Sequence, residues 1–127
     1  PLFVCQVDSA TKYVLPVYGA GLWGPIWGYI ALNDDKSTIY GVYFSHAGET
    51  PGLGAEIAAA PFQNQFTASP KQIMRNGEFT SIGVVKAGKV DENRDYVNAI
   101  SGGTITSQGV EAMLFDGLGQ YVNFLKQ

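Results

Sequence analysis

The stretch Ser101-Gly102-Gly103-Thr104-Ile105-Thr106-Ser107 is the part of the chain best suited to chemistry. Gly102 and Gly103 remove the Cβ atoms that would hold a phosphate away from the backbone. The hydroxyls of Thr104, Thr106 and Ser107 can cap a helix or bond phosphate oxygens. A helical period begins here, so the stretch lies at a helix N-terminus, where unpaired N–H groups and the helix dipole favour an anion. An ordinary N-cap behind a glycine turn uses the same residues, so both readings stand on this stretch alone. No Gly-Lys-Ser/Thr pairing and no GxGxxG pattern occurs, which weighs against a nucleoside triphosphate or a dinucleotide.

Two more clusters have the right residue types. In Glu49-Thr50-Pro51-Gly52-Leu53-Gly54, Pro and Gly fix a sharp turn, and Thr50 can cap a short helix while its backbone faces a ligand; a plain turn is the alternative. In Gly21-Leu22-Trp23-Gly24-Pro25-Ile26-Trp27-Gly28, Trp23 and Trp27 can wall a planar ring or serve as core and interface residues. A hydrolase built on His46, Glu49 and Ser45 is disfavoured, because no serine lies in a nucleophile-elbow pattern and the spacing suits a structural or solvent-facing His46. A noncatalytic extracellular binding module using Trp23, Trp27 and the tyrosines as an adhesive face is a further reading.

The elements that must position these residues belong to a single α+β domain spanning residues 1–127, since 127 residues with 46% hydrophobic and 15% charged content form one core. Net charge is −3, and the eight basic residues are spread from Lys12 to Lys126, so the basic stripe needed for nucleic acid is missing. The lone Cys5 forbids an internal disulfide and, as a free cysteine, is expected to be buried and inert. Leu2-Phe3-Val4-Cys5 lacks the small residues of a lipoprotein cleavage box. Tyr13 to Asn33 carries no charge, yet Pro16, Pro25 and four glycines suit strands and turns rather than a membrane helix. The chain starts at Pro1 with no leader pattern, and reads as an excised or processed piece.

Strands are expected over Leu2–Val7, Lys12–Tyr18, Ile26–Leu32, Thr38–Ser45, Phe79–Lys86 and Tyr96–Ile100. Pro16 places the second at an edge or a bulge, and Asn33–Ser37 closes a hairpin between the third and fourth. Leu53, Ile57 and Ala60 mark a short middle helix that Pro61 interrupts or restarts, and Ala87–Asp95 reads as an exposed charged loop. Val110, Leu114, Gly117 or Leu118, Tyr121 and Leu125 mark one long helix over 106–125, with Gly117 and Gly119 at its centre for tight packing on the sheet. The expected fold is a mostly antiparallel sheet with the long C-terminal helix packed on it.

With these clusters in view, the chain resembles the FMN-binding domain family of NqrC, the C subunit of the bacterial Na+-translocating NADH:quinone reductase, and of RnfG of the Rnf electron-transport complex. The resemblance covers nearly the whole chain. It rests on the order Gly-Leu-Trp-Gly, Glu-Thr-Pro-Gly-Leu-Gly, then Asn98-Ala99-Ile100-Ser101-Gly102-Gly103-Thr104, which answers the family's Asp-x-x-Ser/Thr-Gly-Ala-Thr with Asn98 for Asp and Gly103 for Ala. The resemblance implies covalent FMN, joined through its phosphate to Thr104 by a flavin transferase, which makes the domain a phosphoprotein as well as a flavoprotein. It implies Thr50, Leu53, Trp23 and Glu49 near the flavin ring, and Ser101 and Thr106 with Gly102 and Gly103 around the phosphate. It further implies an electron-carrying role beside the B, D and E subunits, on the periplasmic side of a bacterial inner membrane, with a tether formed by an N-terminal helix outside this chain. No catalytic base, metal ligand set or sodium site is expected in these residues.

Overall fold

A computed structural model describes residues 1–127. Strands β1 (Phe3–Val7), β2 (Ala10–Ala20), β3 (Pro25–Leu32) and β4 (Ile39–His46) form an antiparallel meander in the order β1-β2-β3-β4. Alternation along β2 and β3 sends Leu15, Val17, Ile26, Ile30 and Leu32 into the core. The opposite face carries Tyr18, Tyr29 and Tyr43, all exposed, with Trp27 half-buried between Tyr18 and Ser45. The uncharged run Tyr13–Asn33 is therefore β2, its turn and β3, and no helix of the protein is long and apolar enough to cross a membrane.

Although β2 is second in the order, β1 pairs with it only from Ala10 to Val14, so at Pro16 the strand has β3 alone as a neighbour. A residue without an N–H is tolerated at such a local edge. The β3–β4 hairpin closes through Asp35, whose carboxylate accepts hydrogen bonds from the Ser37 and Thr38 N–H groups and the Thr38 hydroxyl. After β4 a 3₁₀ turn (Gly54–Ala58) leads into α1 (Ala60–Gln63) and α2 (Gln65–Ala68), with Pro61 restarting the helix in its first turn. These short helices deliver Phe62 and Phe66 onto Phe44 of β4, with ring centroids 5.5–6.0 Å apart.

The expected strand over Phe79–Lys86 is divided. Ser81, at φ 57°, turns the chain, leaving β6 (Glu78–Phe79) in a hairpin with β5 (Met74–Arg75) and β7 (Gly83–Val85) in a separate pair. Asn76 and Gly77, both at positive φ, close that hairpin, an Asn-Gly signal that the strand expectation passed over. β8 (Tyr96–Asn98) stops short of Ile100 and pairs with β7 in parallel, the one departure from antiparallel pairing. The charged loop between them is fastened by Arg94, which bridges Asp91 and Glu111. Cys5 is exposed on β1, contrary to the expectation of burial, because it faces outward on a strand at the edge of the sheet.

The long helix also differs from its expected bounds. α3 runs Thr104–Gly119, and the chain leaves helical geometry at Tyr121 before α4 (Val122–Leu125). Gly119 thus ends the helix instead of lying at its centre, and its space is ordinary, with Phe79 3.7 Å from where a Cβ would stand. Gly117 does pack closely, since a Cβ there would come 2.7 Å from Val17 Cγ1. At Gly109 a Cβ would collide with the Ala20 carbonyl, so α3 crosses the end of β2 backbone to backbone.

Two glycines on one helix should therefore respond with opposite signs. Ala is favoured over Gly in an open helix by about 1 kcal/mol. Gly119→Ala should be neutral or stabilising by up to that amount, while Gly109→Ala should destabilise by about 1–3 kcal/mol through overpacking. Urea denaturation of both variants checks this, and a stabilised Gly109→Ala contradicts the packing described.

Candidate functional site

Three segments distant in sequence meet at one end of the sheet. The first is the turn between β2 and β3, closed by Gly21 N–H donating to the Gly24 carbonyl at 2.8 Å. The second is the turn after β4, where the Thr50 carbonyl accepts from the N–H groups of Leu53 and Ala55. The third is the start of α3, where Gly103 N–H bonds the Ile100 carbonyl and the Ser107 hydroxyl accepts from Ile100 N–H at 3.0 Å.

Glu49 joins the three. It is 4% exposed, and its carboxylate accepts from Leu22 N–H at 3.1 Å, Trp23 N–H at 2.9 Å and the Thr106 hydroxyl. Its own N–H donates to His46 Nδ1 at 3.1 Å, which makes His46 a support for the turn. Burial pushes the Glu49 carboxyl upward, but the hydrogen bonds from Thr106, Trp23 and Leu22, together with His46, outweigh it and hold the group below its ordinary 4.5. The carboxylate thus stays charged although buried, because donors surround it. Gly54 belongs to the same arrangement, since a Cβ there would stand 2.8 Å from Glu49 Oε1.

Above this clamp lies an open cavity of about 410 Å³, lined by Leu22, Trp23, Glu49, Thr50, Leu53, Gly54, Gly102, Gly103, Thr104, Ile105 and Thr106. Trp23 (68% exposed), Leu53 and Ile105 offer apolar faces around it. Gly102, at φ +77°, keeps the cavity open, because a Cβ there would fill the space 2.7 Å from Leu53 Cδ2. A second cavity of about 480 Å³ lies on the other side of Thr104, lined by Val84, Lys86, Ala87, Ala99, Ile100, Ser101, Gly102, Thr104, Ser107 and Gln108. No group of three or more His, Cys, Asp or Glu side chains is placed to hold a metal.

Of the residues singled out in the sequence, Trp23, Glu49, Thr50, Leu53, Gly102, Gly103, Thr104 and Thr106 line the first cavity, and Ser101 lines the second. Trp27 is on the outer sheet face, away from both. Thr106 is 1% exposed with its hydroxyl engaged by Glu49, whereas Thr104 is exposed. Asn98 is exposed as well, its backbone N–H and carbonyl both held by the Gln65 side chain. Leu22, Gly54 and Ile105 lie within the three clusters marked in the sequence without having been given a role there, whereas nothing in the local sequence marks Lys86.

The sequence profile of the FMN-binding domain family matches residues 21–119. The chain belongs to that family. Its fold superposes with a TM-score of 0.96 on the crystal structure of NqrC, the C subunit of the Na(+)-translocating NADH-quinone reductase, from Parabacteroides distasonis, at 56% identity over 99% of this chain and 62% of that one. Shewanella oneidensis NqrC follows with a TM-score of 0.76 and 36% identity, covering 98% of this chain and 60% of that one. Among curated proteins, the C subunit of the same reductase from Vibrio vulnificus is 36% identical over 82% of this chain and 40% of its own length. The chain thus spans less than half the length of that relative. The first cavity suits the family's cofactor, since cofactor clefts occupy about 300–1,000 Å³ and combine apolar walls with a few polar groups. The space kept free at Gly102 is the local sign of that fit.

Acid should loosen the site. The folded Glu49 pKa lies below the unfolded value, so the unfolded chain binds more protons near 4.5 and below; the carboxylate's contribution is complete above 4.5 and lost as pH falls through the folded pKa. Glu49→Gln should cost about 2 kcal/mol at neutral pH. The gap between it and the wild type should narrow as pH is lowered below 4.5. Denaturant midpoints of both proteins from pH 7 to pH 3 check this, and a gap independent of pH contradicts the charged clamp.

Proposed function

We propose that this FMN-binding domain is the electron-carrying part of an NqrC subunit, with FMN joined by a phosphoester to Thr104. The observation that carries the reading is the position of Thr104: an exposed hydroxyl at the mouth of the cavity, behind the two-glycine turn and beside the Trp23, Thr50 and Leu53 walls. The relatives described above are named as the C subunit of the reductase, which favours that complex over an Rnf complex. On this reading the domain covers residues 1–127 and belongs to a longer chain, anchored in the inner membrane by an N-terminal helix and facing the periplasm beside the B, D and E subunits.

Bound flavin would supply the electron transfer. The residues of the chain would bind and orient it: Leu53 and Trp23 against the ring faces, the Thr50 turn at the ring edge, and Gly102 and Gly103 allowing close approach. Ser101, which lines the second cavity, would serve the phosphate end, whereas Thr106 would act through its bond to Glu49. Glu49 fixes the Leu22–Trp23 backbone and so positions the Trp23 wall. Attachment needs an activated flavin phosphate, a phosphoanhydride presented by a flavin transferase. Thr104 Oγ would bond to phosphorus and give up its proton, and the leaving phosphate would depart with the electron pair of the broken P–O bond. The net gain is FMN less one water. A covalent bond suits a cavity this open, which would enclose too little of a ligand for tight noncovalent retention.

Co-expression with a flavin transferase should add that mass to the denatured protein and map it to the peptide spanning Ile100 to Met113. Thr104→Ala should remain unmodified with an unchanged unfolding midpoint, since Thr104 is exposed and has no hydrogen-bonded side-chain partner. Intact-mass spectrometry checks both, and a flavin-fluorescent denatured band from Thr104→Ala would overturn the assignment.

A further inference from the structure

We propose that the second cavity is the seat of the phosphodiester and that Lys86 is its counter-cation. The proposal rests on Thr104 as the attachment point. Phosphorus bonded to Thr104 Oγ must lie at the junction of the two cavities, because Thr104 and Gly102 line both. A phosphodiester carries one full negative charge and two unesterified oxygens, and the two sides of this junction differ sharply in charge.

On the first side lies Glu49, a buried carboxylate whose oxygens are occupied by Leu22, Trp23 and Thr106. No basic residue lines that cavity. An anion turned that way would face a like charge across the cavity floor. On the second side no acidic residue lines the wall, and Lys86 does. Lys86 enters none of the ion pairs of the protein, unlike Arg75, Arg94 and Lys126. Ser101 and Gln108 add neutral donors on the same side. The free oxygens therefore face Lys86 while the flavin's ring and its ribityl chain enter the first cavity. Thr104 stands at the boundary between a cation-lined seat and an apolar, anion-floored one, and this charge difference orients the attached group.

The test is amine-selective acetylation followed by peptide mass spectrometry, on the chain produced with and without flavin transferase. Lys89, three residues further along the same exposed loop, is the internal reference. Flavin attachment should lower the Lys86-to-Lys89 labelling ratio several-fold. That protection should fade at about 1 M salt, where the screening length shrinks to about 3 Å. Attachment rates should fall several-fold in Lys86→Gln and recover in Lys86→Arg, which keeps the charge. An unchanged labelling ratio on protein whose Thr104 peptide carries the flavin mass would overturn the ion pair and leave the Thr104 assignment standing. Protection that persists at high salt would show covering by bulk alone and would likewise overturn it. Absence of the flavin mass at Thr104, with a transferase active on another acceptor, would overturn the underlying reading and the ion pair together.

Discussion

A single buried carboxylate holds the site together. Glu49 reaches 26 and 27 residues back to the Trp23 and Leu22 backbone and 57 residues forward to Thr106, so one side chain closes three otherwise independent turns around a common cavity. Removing such a charge from water is costly, and it is tolerated because each oxygen has donors in place. The neighbouring glycines follow from the same constraint. Gly21 and Gly54 lie so close to the carboxylate that any larger residue would displace it. The exposed parts of the site, Thr104, Trp23 and Leu53, stand on this buried frame and contribute little to it.

Membership in the FMN-binding domain family gives the arrangement a purpose. The cavity is wide, open and edged by apolar side chains, which suits a flat cofactor left partly exposed to solvent. Rigid elements surround it: the sheet end, the 3₁₀ turn and a helix packed backbone to backbone against β2. Across Thr104 the surroundings change from a cavity holding Glu49 to one holding Lys86.

The sheet and the glycine-rich turn before α3 were readable in the sequence because their signals are local. Alternation along Ile26–Leu32 and the turn residues Asn33–Ser37 lie within one hairpin, and helix-start chemistry is confined to Ser101–Ser107. The turn clusters around Trp23 and Glu49–Gly54 were also legible from residue types, the resemblance gave them their roles, and the first cavity is lined by Trp23, Glu49, Thr50 and Leu53. What stayed hidden depends on contacts across the fold. The Glu49 clamp links residues with no shared periodicity, and Lys86 reaches the site only because β7 pairs with β8. The division of Phe79–Lys86 was illegible for another reason: two-residue strands are too short to show alternation, and the left-handed Ser81 sits in a run of strand-forming types. Gly119 misled because helix periodicity continues past it while the helix does not.

The span of these contacts also sets an order of events during folding. The β1–β4 meander pairs neighbours in sequence and can form early, but the site needs Leu22 and Thr106, 84 residues apart, to come together over Glu49. Thr104 is therefore presented beside a finished cavity only in molecules whose last long helix has docked. An enzyme that recognises that presentation would modify completed copies and pass over unfinished ones, so the attached cofactor would double as a record that the chain had folded.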